Sequence, residues 1–84
     1  MKINSKETGH HYKTSDLTLA ITLSLYFPIT SVDKADPRRV SFAFEKTKVL
    51  EEHIDKFWRR ELRIEPLAFA NQMKFLKTRI YSGD

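Results

Sequence analysis

The sequence has 84 residues, of which 40% are hydrophobic and 12% aromatic, so it can build one small hydrophobic core but not two. It contains no cysteine, which excludes disulfides, thiolate zinc sites and a cysteine nucleophile, and which fits a reducing compartment. The net charge of +4 favours anionic partners only weakly and does not by itself indicate a nucleic-acid-binding protein.

The N-terminal segment, residues 1–12, is polar and without periodicity, which predicts a flexible tail. It lacks the hydrophobic region of a signal peptide, so we expect a cytoplasmic protein without membrane association. The pair His10 and His11 has no cysteine or carboxylate cluster beside it, and we therefore predict no metal site there.

The apolar run Thr14–Phe27 is the main element of the chain, and its periodicity fits both a strand and a helix. Three residues that favour helix N-caps, Thr14, Ser15 and Asp16, open the run and predict a helix. Pro28 ends it, because the proline ring disfavours helical geometry at the residue before it. Such a helix is apolar almost all round and must be buried, by the rest of the chain or by a second copy.

A β-hairpin is predicted next. Residues 29–34 are short and β-branched, residues 35–37 have the composition of a turn, and residues 38–45 alternate between apolar and polar side chains. In this second strand Val40, Phe42 and Phe44 share one face. That face requires helices over it, since an isolated hairpin is only marginally stable.

Two further helices follow. Thr47 is the predicted N-cap of a helix from Lys48 to about Leu62, and Pro66 suits the first turn of a helix that runs to about Tyr81. The predicted fold is a single α+β domain over residues 13–84, a β-hairpin packed against three helices in the order α-β-β-α-α.

Signals for catalysis are absent from the sequence. It contains no glycine-rich phosphate loop, no nucleophile elbow and no spaced histidine and carboxylate motif. Glu51, Glu52 and Asp55 have basic partners one turn further on, which is typical of a solvated helix face. His53 falls on the inner stripe of its helix, which predicts a core or boundary histidine with one satisfied nitrogen rather than a ligand or a base. We expect no enzyme, no cofactor, no metal and no small-molecule substrate.

The second half of the chain holds the strongest binding signal. Trp58 stands beside paired arginines, so it can stack on bases while the cations hold phosphates, and the predicted nucleic-acid-binding residues are Trp58, Arg59, Arg60, Lys74, Lys77 and Arg79. Phe75 lies opposite the apolar stripe of its helix. The alternative that stays open is that Trp58 and Phe75 border the core and the cations serve solubility.

A second route to DNA comes from the order strand, helix, helix over residues 38–81. Ribbon-helix-helix repressors pair such strands in a dimer and insert them into the major groove. In that arrangement Arg39, Ser41 and Ala43 would face the bases. Pairing of this strand with the preceding one argues against it.

Four stretches carry a resemblance to a known family: Tyr12–Leu17, the pair Ala20 and Leu23, Val40–Glu45 and Leu76–Tyr81. Together they resemble a family of small uncharacterised bacterial and phage proteins, a domain of unknown function, over residues 12–82. The resemblance implies a stand-alone domain with a helix after the Thr-Ser-Asp opening and a prokaryotic or viral setting. It implies no activity and no functional residue.

Two functions are therefore expected from the sequence. The first is a small non-enzymatic accessory protein that binds DNA or RNA. The second is a protein-interaction or homo-oligomerisation module, such as a homodimer, in which Trp58 and Phe75 are the interface anchors.

Overall fold

The structure, a computed structural model, describes residues 10–82 and contains three strands and three helices within them. In chain order the elements are β1 (His11–Thr14), α1 (Leu17–Ser24), β2 (Ile29–Asp33), β3 (Ser41–Glu45), α2 (Lys48–Trp58) and α3 (Pro66–Tyr81). The strands form one antiparallel sheet in the order β1-β3-β2. The α+β class, the hairpin and the three helices are confirmed, whereas the order α-β-β-α-α is incomplete because β1 precedes the first helix.

Strand β1 lies where the sequence predicts the end of a flexible tail. His11 pairs with Glu45 and Tyr12 with Phe44, and the backbone N–H of Lys46 donates to the carbonyl of His10 at 2.5 Å. The prediction was therefore wrong for the last residues of the tail, whereas residues 1–9 lie outside the described part of the chain. The four residues alternate between exposed and half-buried, but so short a segment is not recognisable as a strand in the sequence, and pairing with β3 is what makes it one.

Strand β3 is the central strand, with β1 on one edge and β2 on the other. A ribbon-helix-helix dimer needs a free edge on this strand, so the predicted presentation of Arg39, Ser41 and Ala43 to DNA was wrong. The strand also begins at Ser41 rather than Arg38, because the backbone N–H groups of Arg38 and Arg39 are bonded to Asp36 in the turn.

Helix α1 is the centre of the fold. The side chain of Asp16 accepts from the backbone N–H of Leu19 at 3.1 Å, which is the N-cap that the sequence predicts. Its residues 19–23 are buried, Thr18 is its one exposed residue, and its neighbours are β1, α2 and α3. A single chain thus covers this helix, and a second copy is not needed for that purpose.

The hydrophobic core joins α1 to the sheet and to the other two helices. Its buried side chains form one cluster: Leu19, Ala20, Ile21, Leu23, Phe42, Phe44, Leu50 and Leu76. The polar groups of α1 are satisfied within it, since Thr22 donates to the carbonyl of Thr18 and Ser24 accepts from the Gln72 amide at 3.0 Å. The contact between Ser24 and Gln72 shows that α3 runs antiparallel to α1, because Ile80 lies beside Leu17 at the other end.

Helix α3 has the predicted bounds, but α2 ends at Trp58, four residues before the predicted end. The backbone N–H of Glu61 donates to the carbonyl of Lys56 at 2.9 Å, and that of Arg60 donates to Phe57 at 3.0 Å. These two bonds form a Schellman motif, in which the residue after the cap is left-handed and is usually glycine. Here that residue is Arg60, with φ of 62°.

Replacing Arg60 by glycine should therefore stabilise the protein. A side chain in left-handed backbone costs about 1–2 kcal/mol, and the extra entropy of an unfolded glycine offsets part of the gain, so we expect an increase of about 0.5–1 kcal/mol in the free energy of unfolding. Urea denaturation measures it. Arg60→Ala is the control, because it removes the same charge and keeps the β-carbon; equal stability of the two variants would contradict the explanation.

None of the helices within residues 10–82 combines the length and the apolar character needed to cross a membrane.

Candidate functional site

The residues predicted to bind nucleic acid are all exposed, but the structure does not gather them on one surface. Trp58 has 60% of its surface exposed and Phe75 has 54%. On α3, Lys77 and Arg79 are two positions apart and so point about 200° away from each other around the helix. Lys74 and Lys77, three positions apart, share one flank. Only this lysine pair forms a common face among the predicted residues of α3.

Trp58 lies on a flank of α2 that carries negative charge. Glu51 and Asp55, seven and three residues before it, share that flank. Beyond it, the Arg59 guanidinium donates to Glu61 at 3.2 Å, and this hydrogen bond and the charge of Glu61 raise the pKa of Arg59. The indole edge also packs against Phe57, with ring centroids 4.9 Å apart. These neighbours are unfavourable for phosphates next to the tryptophan.

A groove of about 240 Å³ lies at the C-terminal end of α3, and we call it the sheet-end groove. It runs between the loop from β2 to β3, the residues before α1 and the last turn of α3. The half-buried and buried side chains Leu17, Phe42 and Ile80 line it together with the exposed side chains of Arg38, Arg39 and Tyr81. The groove thus combines an apolar lining with two guanidinium groups and a phenol.

A second, more open depression of about 580 Å³ adjoins the sheet-end groove and shares Ser15 and Arg39 with it. Lys13 and Asp16 add one charge of each sign, so the two depressions together have three cationic side chains against one carboxylate. The Asp16 carboxylate is already engaged as the N-cap of α1. The lining residues thus have an excess of two positive charges, whereas two further carboxylates lie beside them: Asp33, which pairs with Lys13, and Asp36, which accepts from the backbone of Arg38.

Backbone hydrogen bonds fix the turn that contains Arg38 and Arg39, whereas the side chains of these two arginines have no anionic partner in the described structure. Asp36 accepts from the N–H groups of Arg38 and Arg39 at 3.0 and 2.9 Å, which fixes the turn. Neither guanidinium forms a salt bridge within residues 10–82. Such side chains can take up an anionic ligand without first breaking an ion pair.

Lys13 differs, because its ammonium group lies 3.4 Å from the Asp33 carboxylate on the far side of the central strand. The backbone N–H of Ala35, and then Lys13, hold the pKa of Asp33 below its ordinary value. Both side chains are about half exposed, so the pair is weak and Lys13 can exchange this carboxylate for another anion.

The sheet-end groove continues along α3. Lys74, Lys77 and Tyr81 are spaced three and four residues apart and share one flank of the helix, over a length of about 10 Å. Tyr81, with 79% of its surface exposed, stands where this flank meets the groove. Two of the predicted cations therefore belong to this surface, which also includes Lys13, Arg38, Arg39 and Tyr81.

Sequence reasoning missed Lys13, Arg38 and Tyr81, and it named Arg39 only as a base-facing residue of a ribbon-helix-helix strand. Arg38 and Arg39 were assigned to a strand, and Tyr81 to the end of a helix, and nothing in one segment shows that the three segments meet. The available signal was the doubled arginine directly after the Asp36-Pro37 turn, which is typical of an exposed loop rather than of a strand.

A protein-family model, described as a domain of unknown function (DUF5659), matches residues 9–82. The chain belongs to the DUF5659 family. The match includes β1 and every other element of the DUF5659 domain described above, so the sheet-end groove lies within the family's bounds. No match to the chain was found among curated proteins or among solved structures.

The side chain of His53 in this DUF5659 domain is held by contacts with its neighbours. Nδ1 of His53 lies 2.9 Å from the carbonyl oxygen of Val49, and the ring packs against Tyr26 and Phe27 at centroid distances of 4.7 and 5.1 Å. His53 is half-buried, so of the core and boundary positions that the sequence allows the structure shows the boundary one. Within residues 10–82, no group of three or more histidine, cysteine, aspartate or glutamate side chains is placed to hold a metal ion.

Proposed function

We propose that the protein is a small non-enzymatic accessory protein that binds nucleic acid through the sheet-end groove and the adjoining flank of α3. The observation that carries this proposal is the position of Arg38 and Arg39, exposed and without salt bridges in the described chain, beside the exposed ring of Tyr81. Guanidinium groups match phosphate geometry, and an exposed aromatic ring provides a surface on which a base can stack.

Single strands fit this surface better than a duplex. Tyr81 can stack only on a base that is not already stacked between its neighbours. Lys74 and Lys77 then follow the backbone of the strand along α3. Lys13 extends the same positive surface on the other side of Arg39.

The proposal changes the residues expected from the sequence. Lys74 and Lys77 are retained, whereas Arg79 lies on the other flank of α3, and Trp58, Arg59 and Arg60 lie beside carboxylates at the end of α2. We also propose a prokaryotic or phage setting, from the resemblance alone, and the cytoplasm, because a chain without cysteine fits a reducing compartment.

A fluorescence anisotropy titration with labelled single- and double-stranded DNA and RNA tests the proposal. We expect a micromolar Kd for single strands at low salt. Because four or five cations are available for phosphate contacts, log K should fall with log salt with a slope of about −3 to −3.5. The duplex should bind more weakly. Absence of binding to every oligonucleotide at low salt would refute the proposal.

Trp58 favours a second function, the binding of a protein partner. Its ring is largely exposed. It lies on α2 beside carboxylates, whereas the cationic flank belongs to α3. Tryptophan is among the residues that contribute most to the binding energy of protein interfaces.

A further inference from the structure

The sheet-end groove has an apolar floor that belongs to the hydrophobic core. Phe42 is buried within the core cluster. The half-buried side chains of Leu17, Val40 and Ile80 pack against that cluster. All four line the groove. Because core side chains are closely packed, this floor is well fixed, and it keeps an apolar area in contact with water at one end of the domain.

Two walls of the groove are tied to each other. One wall is the turn before β3, where Asp36 accepts from the backbone N–H groups of Arg38 and Arg39. The other wall is the last turn of α3. The ammonium group of Lys34, in the loop from β2 to β3, lies 3.4 Å from both the carbonyl and the hydroxyl oxygen of Ser82, directly after that helix. The loop and the helix end are thus held together, so the groove is formed before a ligand binds.

The rim of the groove is cationic and aromatic. Arg38 and Arg39 supply two guanidinium groups, and Tyr81 supplies an exposed ring. No carboxylate of residues 10–82 lines the groove, and the two that are nearest in sequence, Asp16 and Asp36, each accept a backbone N–H. The groove therefore suits a ligand with a flat apolar part for the floor and an anionic group for the rim.

The volume of the groove limits the size of that apolar part. At about 240 Å³ it lies below the range of about 300–1,000 Å³ that holds a drug-sized ligand. One ring system fits this space better than a stack of several. A nucleobase has two π faces that suit an apolar surface, and in a single strand it is joined through its sugar to phosphates that stay outside.

We propose that the sheet-end groove takes up one base of a single strand, turned out of the stack of its neighbours, with the flanking phosphates at Arg38 and Arg39. This inference rests on the proposed nucleic-acid binding and adds that a single base is buried. The neutral polar side chains of the lining are only the hydroxyl-bearing Ser15 and Tyr81. Apolar contact rather than hydrogen bonding to the base edge therefore holds the base, so all four bases are accepted.

Labelled strands of about twelve nucleotides with the same phosphates and different numbers of bases test this on the full chain. One strand is abasic throughout, one has a single thymine in the middle, and one has two adjacent thymines. The first thymine should raise the affinity about tenfold, the gain typical of a base in contact with an aromatic side chain. The second should raise it no more than about twofold, because it only doubles the number of binding registers.

A substitution that fills the groove separates burial of the base from stacking on the surface. Val40→Trp occupies the apolar floor and leaves Tyr81 and the arginines in place. This variant should bind the thymine strand no better than the abasic strand, with an unchanged salt slope, because the phosphate contacts are the same. Val49→Trp is the matched control, since Val49 is an exposed valine of α2 outside the groove. Circular dichroism checks that both variants fold.

Methyl NMR of the unsubstituted protein locates the base independently of any variant. The single-thymine strand should shift the methyl signals of Leu17, Val40 and Ile80 and show NOEs from the thymine to them. The abasic strand should leave these signals in place. The methyl signals of Val49 are the internal control and should not move with either strand.

Several results would overturn the inference. Equal binding of the abasic and thymine strands would do so while leaving nucleic-acid binding through phosphates intact. An equal gain from the second thymine, or shifts confined to Tyr81, would mean that bases stack on the surface instead. A peptide of alternating phenylalanine and glutamate that displaces the strand and shifts the same methyl signals more strongly would assign the groove to a protein partner. If no strand binds at low salt, the proposed function fails and this inference fails with it.

Discussion

Phe44→Ala is expected to lower the free energy of unfolding by about 3–5 kcal/mol, the range for truncating a buried aromatic side chain. Phe44 is fully buried, lies in the central strand opposite Tyr12 and Ile29, and belongs to the core cluster. Its loss leaves a cavity between the sheet and α1. At roughly 0.05–0.15 kcal/mol per residue the whole domain is only marginally stable, so this variant should be largely unfolded at 37 °C.

Urea denaturation followed by circular dichroism measures this loss. Phe75→Ala is the matched control, because it makes the same substitution on an exposed ring of α3 and should cost less than about 1 kcal/mol. If the two variants lost the same stability, Phe44 would not be the core residue that the structure describes.

Arg38→Gln combined with Arg39→Gln is expected to weaken binding of a labelled single strand at least about tenfold at low salt. Each guanidinium that leaves the interface removes one phosphate contact. The slope of log K against log salt should therefore fall by about 0.7 for each arginine, about 1.4 for the pair. Neither side chain is buried, so the variant should fold normally.

The matched control is Arg59→Gln combined with Arg60→Gln, which removes the same charge from another adjacent arginine pair. That pair is the one that the sequence alone predicts to hold phosphates, whereas the structure places it beside Glu61. Anisotropy titrations of both variants over a range of salt separate the two interfaces. A loss confined to the Arg59 and Arg60 variant would move the binding surface to the end of α2.

The sequence predicts those elements whose signals are local. Asp16 caps α1, Thr47 caps α2 and Pro66 opens α3, each through contacts within four residues. It does not predict β1, because His11–Thr14 becomes a strand only through a partner some thirty residues further along the chain. The end of α2 was missed for a different reason, since an arginine occupies the left-handed position where glycine is expected.

The candidate site follows the same division. Lys74 and Lys77 share a helix flank, and that relation can be worked out from their spacing alone. The sheet-end groove cannot be worked out in this way, because Lys13, Arg39 and Tyr81 come from three distant segments that meet only when α3 runs antiparallel to α1.

The position of β1 in the sheet has a consequence for the order of folding. The hairpin of β2 and β3 closes through a short loop, and the helices that follow build on it. Among the described strands β1 leaves the ribosome first, yet its partner β3 is synthesised only after α1 and β2. We therefore expect β1 to join the sheet last and, by the same loop-closure cost, to detach first when the native protein opens locally.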